Sequence, residues 1–230
     1  MHHYERIEAW ENGEKIAPIS VDMALTRACS SMCSFCYAMV QEPQERANIK
    51  TKESLNLLDD FAEVGVKGVS VISDGESTLS KAYVPFIQHA AKIGIDVGNA
   101  TNGWEWEPNK IDEVLPYLKW VRFTVAAGNP ESYSKIMFKN SEHTPVFDRA
   151  MKHIKYAVNL KKKLNLSENS NVLLFGCEGD ADEELSQKLL EKFNWGHTFL
   201  ELNENLLHDY QKVKSEDQVN EIIREYGYAI

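Results

Sequence analysis

From residue 21 onward, short apolar runs alternate with amphipathic stretches, and polar, glycine-bearing turns separate them. VDMALT (21–26) predicts a strand. TKESLNLLDDFAEVG (51–65) predicts a helix with Leu55, Leu57, Leu58 and Phe61 on its buried side, Thr51 as N-cap and Gly65 as terminator. KGVSVISDGE (67–76) is a strand ending in a polar turn, 80–93 a helix closed near Gly94, and IDVGNATNG (95–103) a third strand. NKIDEVLPYLK (109–119) predicts a helix limited or kinked by Pro116, and WVRFTVAAG (120–128) a fourth strand. A short helical piece (130–138) precedes a longer helix (145–164) entered through Pro145. NVLLFGC (171–177) and HTFLELN (197–203) are strands five and six, with helices over 180–194 and 204–227.

Six β–α units in succession predict parallel strands joined by right-handed crossover helices. Periodicity does not separate a flat doubly wound sheet from a curved partial barrel. Residues 1–20 precede the first strand and carry Ile7, Trp10, Ile16 and Ile19 among charges. They are expected to form an N-terminal extension that caps the core as a short lid or hairpin, with an oligomer contact as the alternative. Residues 21–230 are expected to form one domain.

The 230 residues are 43% hydrophobic and 26% charged, as in a soluble globular protein, and supply one full core. No apolar stretch is long enough to span a membrane, and the first residues lack the apolar segment of a signal peptide. A net charge of -10 argues against non-specific binding to nucleic acid, which requires a basic surface. The densest basic run, Lys161, Lys162 and Lys163, ends a predicted helix, where positive charge is favoured for local reasons.

Chemistry enters with the cysteines. Cys29, Cys33 and Cys36 are spaced C-x3-C-x2-C in TRACSSMCSFCYAM, and the fourth, Cys177, lies far away. Three thiolates hold three irons of a cubane cluster and leave the fourth iron open. A structural zinc site would need a fourth ligand, and no His lies within the loop. Unconnected buried cysteines are the other competing reading. A disulfide scaffold does not suit a chain of this length without a secretory signal, so the cysteines imply a reducing cytoplasm.

This spacing, with Phe35 before the last cysteine, resembles the cluster loop of the radical S-adenosylmethionine (radical SAM) superfamily. The resemblance implies a six-unit (βα)6 partial TIM-type barrel, a [4Fe-4S] cluster on Cys29, Cys33 and Cys36, and S-adenosylmethionine chelating the open iron. The turn Ser73-Asp74-Gly75-Glu76-Ser77-Thr78 is similar to the family's Gly-Gly-Glu-Pro-Thr stretch, which binds the cofactor's amino group. Gly75 and Glu76 match by position, while Asp74 and Ser77 replace a glycine and the proline. An ordinary βα turn is the competing reading.

Three further edges are implicated. Asn102, with Thr101 second, is expected to reach ribose hydroxyls or substrate, unless Asn102 only forms an Asx turn. Thr124 matches the family's cofactor-contacting Ser in strand four, and Arg122 shares its face. Either can equally serve the strand alone. Trp104 and Trp106, read as strand-like alternation, would share one side and cover cofactor or substrate, or else pack on the adjacent loop. Cys177 is expected to be an inert buried thiol.

The resemblance implies reductive cleavage of S-adenosylmethionine to methionine and a 5'-deoxyadenosyl radical that abstracts hydrogen from substrate. The protein positions and shields that chemistry. It implies an electron donor such as flavodoxin or ferredoxin. With no cysteine-rich tail, a small-molecule substrate is favoured over a protein or peptide. A non-catalytic iron–sulfur electron-transfer or sensing module is the remaining alternative.

Overall fold

The alternation of apolar and amphipathic segments closes into one parallel sheet. In the computed structural model, which describes residues 3–36, 38, 47–72, 74–127, 129–138, 144–166 and the strand 171–175, five strands run side by side. They are β1 (Ser20–Met23), β2 (Gly68–Val71), β3 (Asp96–Thr101), β4 (Leu118–Thr124) and β5 (Asn171–Phe175), in the order β1-β2-β3-β4-β5. Every pairing is parallel. The chain divides into two compact units, Met1–Asp182 and Glu183–Ile230, and all described residues belong to the first. The predicted strand 197–203, the helices over 180–194 and 204–227, and Cys177 lie outside the described residues.

Sequential parallel strands with right-handed crossovers carry all their helices on one face. These are α2 (Thr51–Val64), α3 (Tyr83–Lys92), α4 (Pro108–Val114) and α6 (Thr144–Lys163); α2 packs on α3, α3 on α4 and α4 on α6. Strand residues of one alternation, Val69, Val71, Val97, Val121 and Phe123, are buried with Phe86, Ile87, Ile111 and Ile154 of the helices. Burying each such side chain contributes roughly 1.5–3 kcal/mol. The other alternation aligns Asp22, Ser70 and Gly98 across β1–β3, then Gly98 with Trp120 and Ala100 with Arg122. These positions, apart from buried Gly98, stay half-buried or exposed, because no described helix layer covers them.

Local corrections have local causes. α2 begins at Thr51, so the N-cap is Lys50, whose N–H donates to Glu53 Oε2 at 3.4 Å, in place of the predicted Thr51. Gly65 closes it as expected, at φ 88°, a left-handed conformation that glycine adopts without steric cost. The turn after β2 holds a 3-10 turn, Ser77–Leu79, so α3 starts at Tyr83 rather than at 80. Of the two roles open to Pro116, it limits the helix: α4 ends at Val114, short of the predicted 119, a 3-10 turn (Leu115–Tyr117) follows, and β4 starts at Leu118 rather than at 120. α6 ends in Lys161–Lys163, the favourable end for positive charge.

The extension is a helix, α1 (Tyr4–Glu11), with no buried residue, rather than a core-burying hairpin. Arg6 donates through Nη2 to the Gly65 carbonyl at 2.9 Å and through Nη1 to Pro18 at 3.4 Å. It is therefore held to the end of α2, at the edge opposite the cysteine loop.

Candidate active site

The working edge is built where β1, β2 and β3 end. Beyond β1 the chain makes an antiparallel bridge between Thr26 and Asn48, and Arg27 N–H donates to the Ala47 carbonyl at 2.9 Å. The cysteine loop then runs along α5 (Pro130–Phe138): Met32 N–H donates to the Met137 carbonyl at 2.8 Å and Ser34 N–H to that of Ile136 at 2.9 Å. Cys29 is exposed, Cys33 and Cys36 are half-buried, and none of the three is in a disulfide. Cys36 N–H donates to the Cys33 carbonyl at 3.1 Å, and Cys33 Sγ lies 3.6 Å from Met137 Sδ.

Although Cys29 is exposed by surface area, the protein atoms packed around its sulfur push the thiol up by desolvation; the Ser31 backbone N–H opposes this, and the Glu76 and Cys36 charges add to the rise. Among the described residues no three Cys, His, Asp or Glu side chains are drawn together closely enough to hold a metal ion. The donor set still fits an iron–sulfur cluster in kind: three thiols on one eight-residue loop, none of them in a disulfide.

The β2 turn presses on this loop. Glu76 N–H donates to the Ala28 carbonyl at 2.9 Å. Asp74, which stands where the family stretch has glycine, faces Arg27 with Oδ2 3.9 Å from Nε. Glu76 itself is 3% exposed. Its Oε1 accepts from Thr78 N–H (3.3 Å), Thr78 Oγ1 (2.7 Å) and Thr101 Oγ1 (2.8 Å), and its Oε2 from Asn102 N–H (2.7 Å). Burial raises its carboxyl above the usual range, against the pull of those bonds.

The sequence-predicted residues fall into separate groups. Cys29, Gly75, Glu76 and Asn102 converge. Asn102 Oδ1 accepts from Trp104 N–H (3.2 Å) and Glu105 N–H (3.4 Å), so the Asx turn weighed for it is formed, while Nδ2 donates to Ser31 Oγ at 3.4 Å. Phe35 is 46% exposed on the loop. Arg122 and Thr124 are half-buried on the face turned away from the helices, whereas Thr101 lies on the helix-side alternation of β3. Period two places them on opposite faces of the sheet.

The two tryptophans do not share a side. Residues 103–105 form a bend, so strand alternation does not apply. Trp106 is fully buried against Phe123, with ring centroids 5.6 Å apart. Trp104 is half-buried, edge-on to Phe138 at 5.8 Å, and its Nε1 donates to Ser31 Oγ at 3.3 Å.

Several groups escaped the sequence reading. Ser31 joins the loop to Asn102 and Trp104. Among the described residues the buried Tyr133 hydroxyl finds no hydrogen-bond partner, and the Asn99 side chain lies beside the buried Tyr83 hydroxyl without completing a well-formed bond. Burial raises both phenols, with Glu76 adding to each and Cys33 to Tyr133. A polar residue in an apolar helix face, as in SYSKIM, was the available signal for Tyr133.

A sequence model of the family described as the radical SAM superfamily matches residues 23–189. The chain belongs to the radical SAM superfamily. Members of that superfamily are enzymes that use a [4Fe-4S] cluster and S-adenosylmethionine.

Among solved structures, Streptococcus suis SuiB bound to S-adenosylmethionine superposes with a TM-score of 0.63 at 14% identity, over 82% of this chain and 41% of that one. This supports the partial-barrel α/β fold. Sporulation killing factor maturation protein SkfB of Bacillus subtilis (strain 168) is 27% identical over 123 residues, which are 48% of this chain and 29% of SkfB. The PqqA peptide cyclase of Bradyrhizobium diazoefficiens is 31% identical over 78 residues, 34% of this chain and 20% of the cyclase. The chain thus matches less than a third of the length of these curated relatives. A second family model, described as the C-terminal part of a ribosome biogenesis protein, matches residues 152–227. No helix among the described residues is long and apolar enough to cross a membrane.

Proposed function

We propose that this chain is a radical SAM enzyme that modifies a peptide or protein. Cys29, Cys33 and Cys36 hold the cluster, and the edge formed by Gly75, Glu76, Asn102, Arg122 and Thr124, with Phe35 beside the loop, shapes the cofactor site. When bound, the cluster and S-adenosylmethionine supply one-electron cleavage to methionine and a 5'-deoxyadenosyl radical that abstracts hydrogen from the substrate. The chain's own residues orient and shield. The Ile136 and Met137 carbonyls fix the cysteine loop, and Trp104 with Phe138 forms an apolar wall beside it that limits water.

The observation that carries this reading is the docking of the three-cysteine loop onto the Glu76 turn, through the Glu76 N–H to Ala28 bond at 2.9 Å. The peptide preference replaces the small-molecule expectation because the relatives' names are those of a maturation protein and a peptide cyclase. An electron donor such as flavodoxin or ferredoxin, and a reducing cytoplasmic setting, follow from the chemistry. A second reading takes an RNA or ribosomal component as substrate. The match over 152–227 favours it, and the net charge of -10 weighs against it.

The test is anaerobic reconstitution, reduction with dithionite and measurement of 5'-deoxyadenosine from S-adenosylmethionine. Full iron content without 5'-deoxyadenosine would leave the electron-transfer module as the better reading. Mass change in a supplied peptide pool, against ribosomal RNA, then separates the two substrates.

A further inference from the structure

Glu76 makes more bonds than a turn requires. Its bond from Thr78 N–H is the local cap of the Ser77–Leu79 turn. The bonds from Thr101 and Asn102 reach 25 and 26 residues along the chain and have no such local purpose. Together the four bonds occupy about as many acceptor sites as a carboxylate has. At 3% exposure the group offers no open side to an incoming ammonium.

The far ends of this network bracket one cysteine. On one side, Glu76 N–H holds the Ala28 carbonyl at 2.9 Å. On the other, Asn102 is held through its N–H by Glu76 Oε2 at 2.7 Å, and its Nδ2 reaches Ser31 Oγ at 3.4 Å. Ser31 N–H in turn points at Cys29 Sγ, 3.5 Å away. The two loop positions fixed by Glu76 therefore lie immediately before Cys29 and two residues after it.

We propose that Glu76 is a positioning residue for Cys29, joining the β2 and β3 edges beneath the cysteine loop, and is not a direct ligand of the cofactor's ammonium group. The second half of this inference rests on the radical SAM reading of the site; the first half does not. Thr101 is the partner through which the effect is transmitted, and its hydroxyl is the part that matters, since it both donates to Glu76 and accepts from Gly103 N–H at 3.1 Å.

The experiment has two arms. In the metal-free full-length chain, iodoacetamide modification of each cysteine is followed by mass spectrometry at one pH. Glu76→Gln and Thr101→Val should each change the Cys29 rate by about threefold or more, with Cys36 within about twofold, because thiol reactivity follows its microenvironment. Thr101→Ser, which keeps the hydroxyl, should match the unaltered chain. Thr101→Val leaves the carboxylate in place, so its effect separates positioning from loss of charge.

In the cluster-loaded chain, Glu76→Gln and Thr101→Val should each raise the Kd for S-adenosylmethionine, by about tenfold. Thr101→Val keeps the Glu76 carboxylate and removes only the hydroxyl that donates to it. A rise in Glu76→Gln with Thr101→Val unchanged would mean contact with the ammonium and overturn the proposal. An unchanged Cys29 rate in Thr101→Val would overturn it as well. An unaltered chain that does not bind S-adenosylmethionine would sink the cofactor reading, while the modification arm still decides what Glu76 does.

Discussion

Gly75 lies so close under the Ala28 carbonyl that a Cβ built on it would stand 2.6 Å from that oxygen, with the Arg27 carbonyl carbon at 2.8 Å. The Thr26 carbonyl crowds the same point. All three neighbours are backbone, so no side chain can turn aside. The first residues of the cysteine loop therefore sit on a glycine because nothing larger fits. Gly75→Ala should destabilise the metal-free chain by about 1–3 kcal/mol in urea unfolding, the usual range for overpacking. It should also lower iron retention after reconstitution. Normal stability with full iron would show that the loop shifts freely over this turn.

Cluster loading should divide the cysteines. Cys29→Ala, Cys33→Ala and Cys36→Ala are each expected to lose the four-iron content and cofactor cleavage, because each removes one of three thiolates. Cys177→Ala should keep both. Iron and sulfide assays on the four anaerobically reconstituted variants check this, and loss of iron in the Cys177 variant would overturn the three-ligand assignment.

Tyr133 is fully buried, and its hydroxyl has no hydrogen-bond partner among the described residues. Tyr133→Phe should be neutral or stabilise by up to about 1 kcal/mol, since an unmade buried hydrogen bond is removed with the group. The same residue gives a pH signature. Burial holds its phenol protonated in the fold well above the ordinary value, while the unfolded chain ionises near about 10. The native state then binds more protons, so its contribution is complete below that pH and is lost as pH rises above it. Denaturant unfolding across pH 9 to 11 should show a shallower fall for Tyr133→Phe. A variant that loses stability at neutral pH would reveal a bond at the hydroxyl.

Ending the chain after Asp182 tests how far the iron-binding unit extends. The described sheet and helices belong to Met1–Asp182, and strand β5 finds its partner β4 there. The fragment 1–182 should therefore stay folded and take up iron. Insolubility, or failure to hold the cluster, would favour the single domain over 21–230 that six β–α units predict.

What the sequence by itself determined was local. Apolar periodicity located β1 to β5 and the helices between them, Gly65 and Pro116 marked helix ends, and the C-x3-C-x2-C spacing named the chemistry. Each of these signals lies within a few residues, where backbone geometry and side-chain period act directly. The boundaries of β2 and α3 were misplaced for a physical reason: Glu76 caps a 3-10 turn that looks like the end of a strand.

The tertiary structure decided what depends on contacts distant in sequence. It turned Glu76 toward Thr101 and Asn102, brought Ser31 against Trp104 across 73 positions, and separated Trp106 from Trp104 by burying only the first against Phe123. It also made residues 4–11 a surface helix tied to Gly65 by Arg6. No periodicity encodes these pairings. A buried carboxylate must take the donors that folding brings to it, and which donors those are is settled only once the strand edges lie side by side.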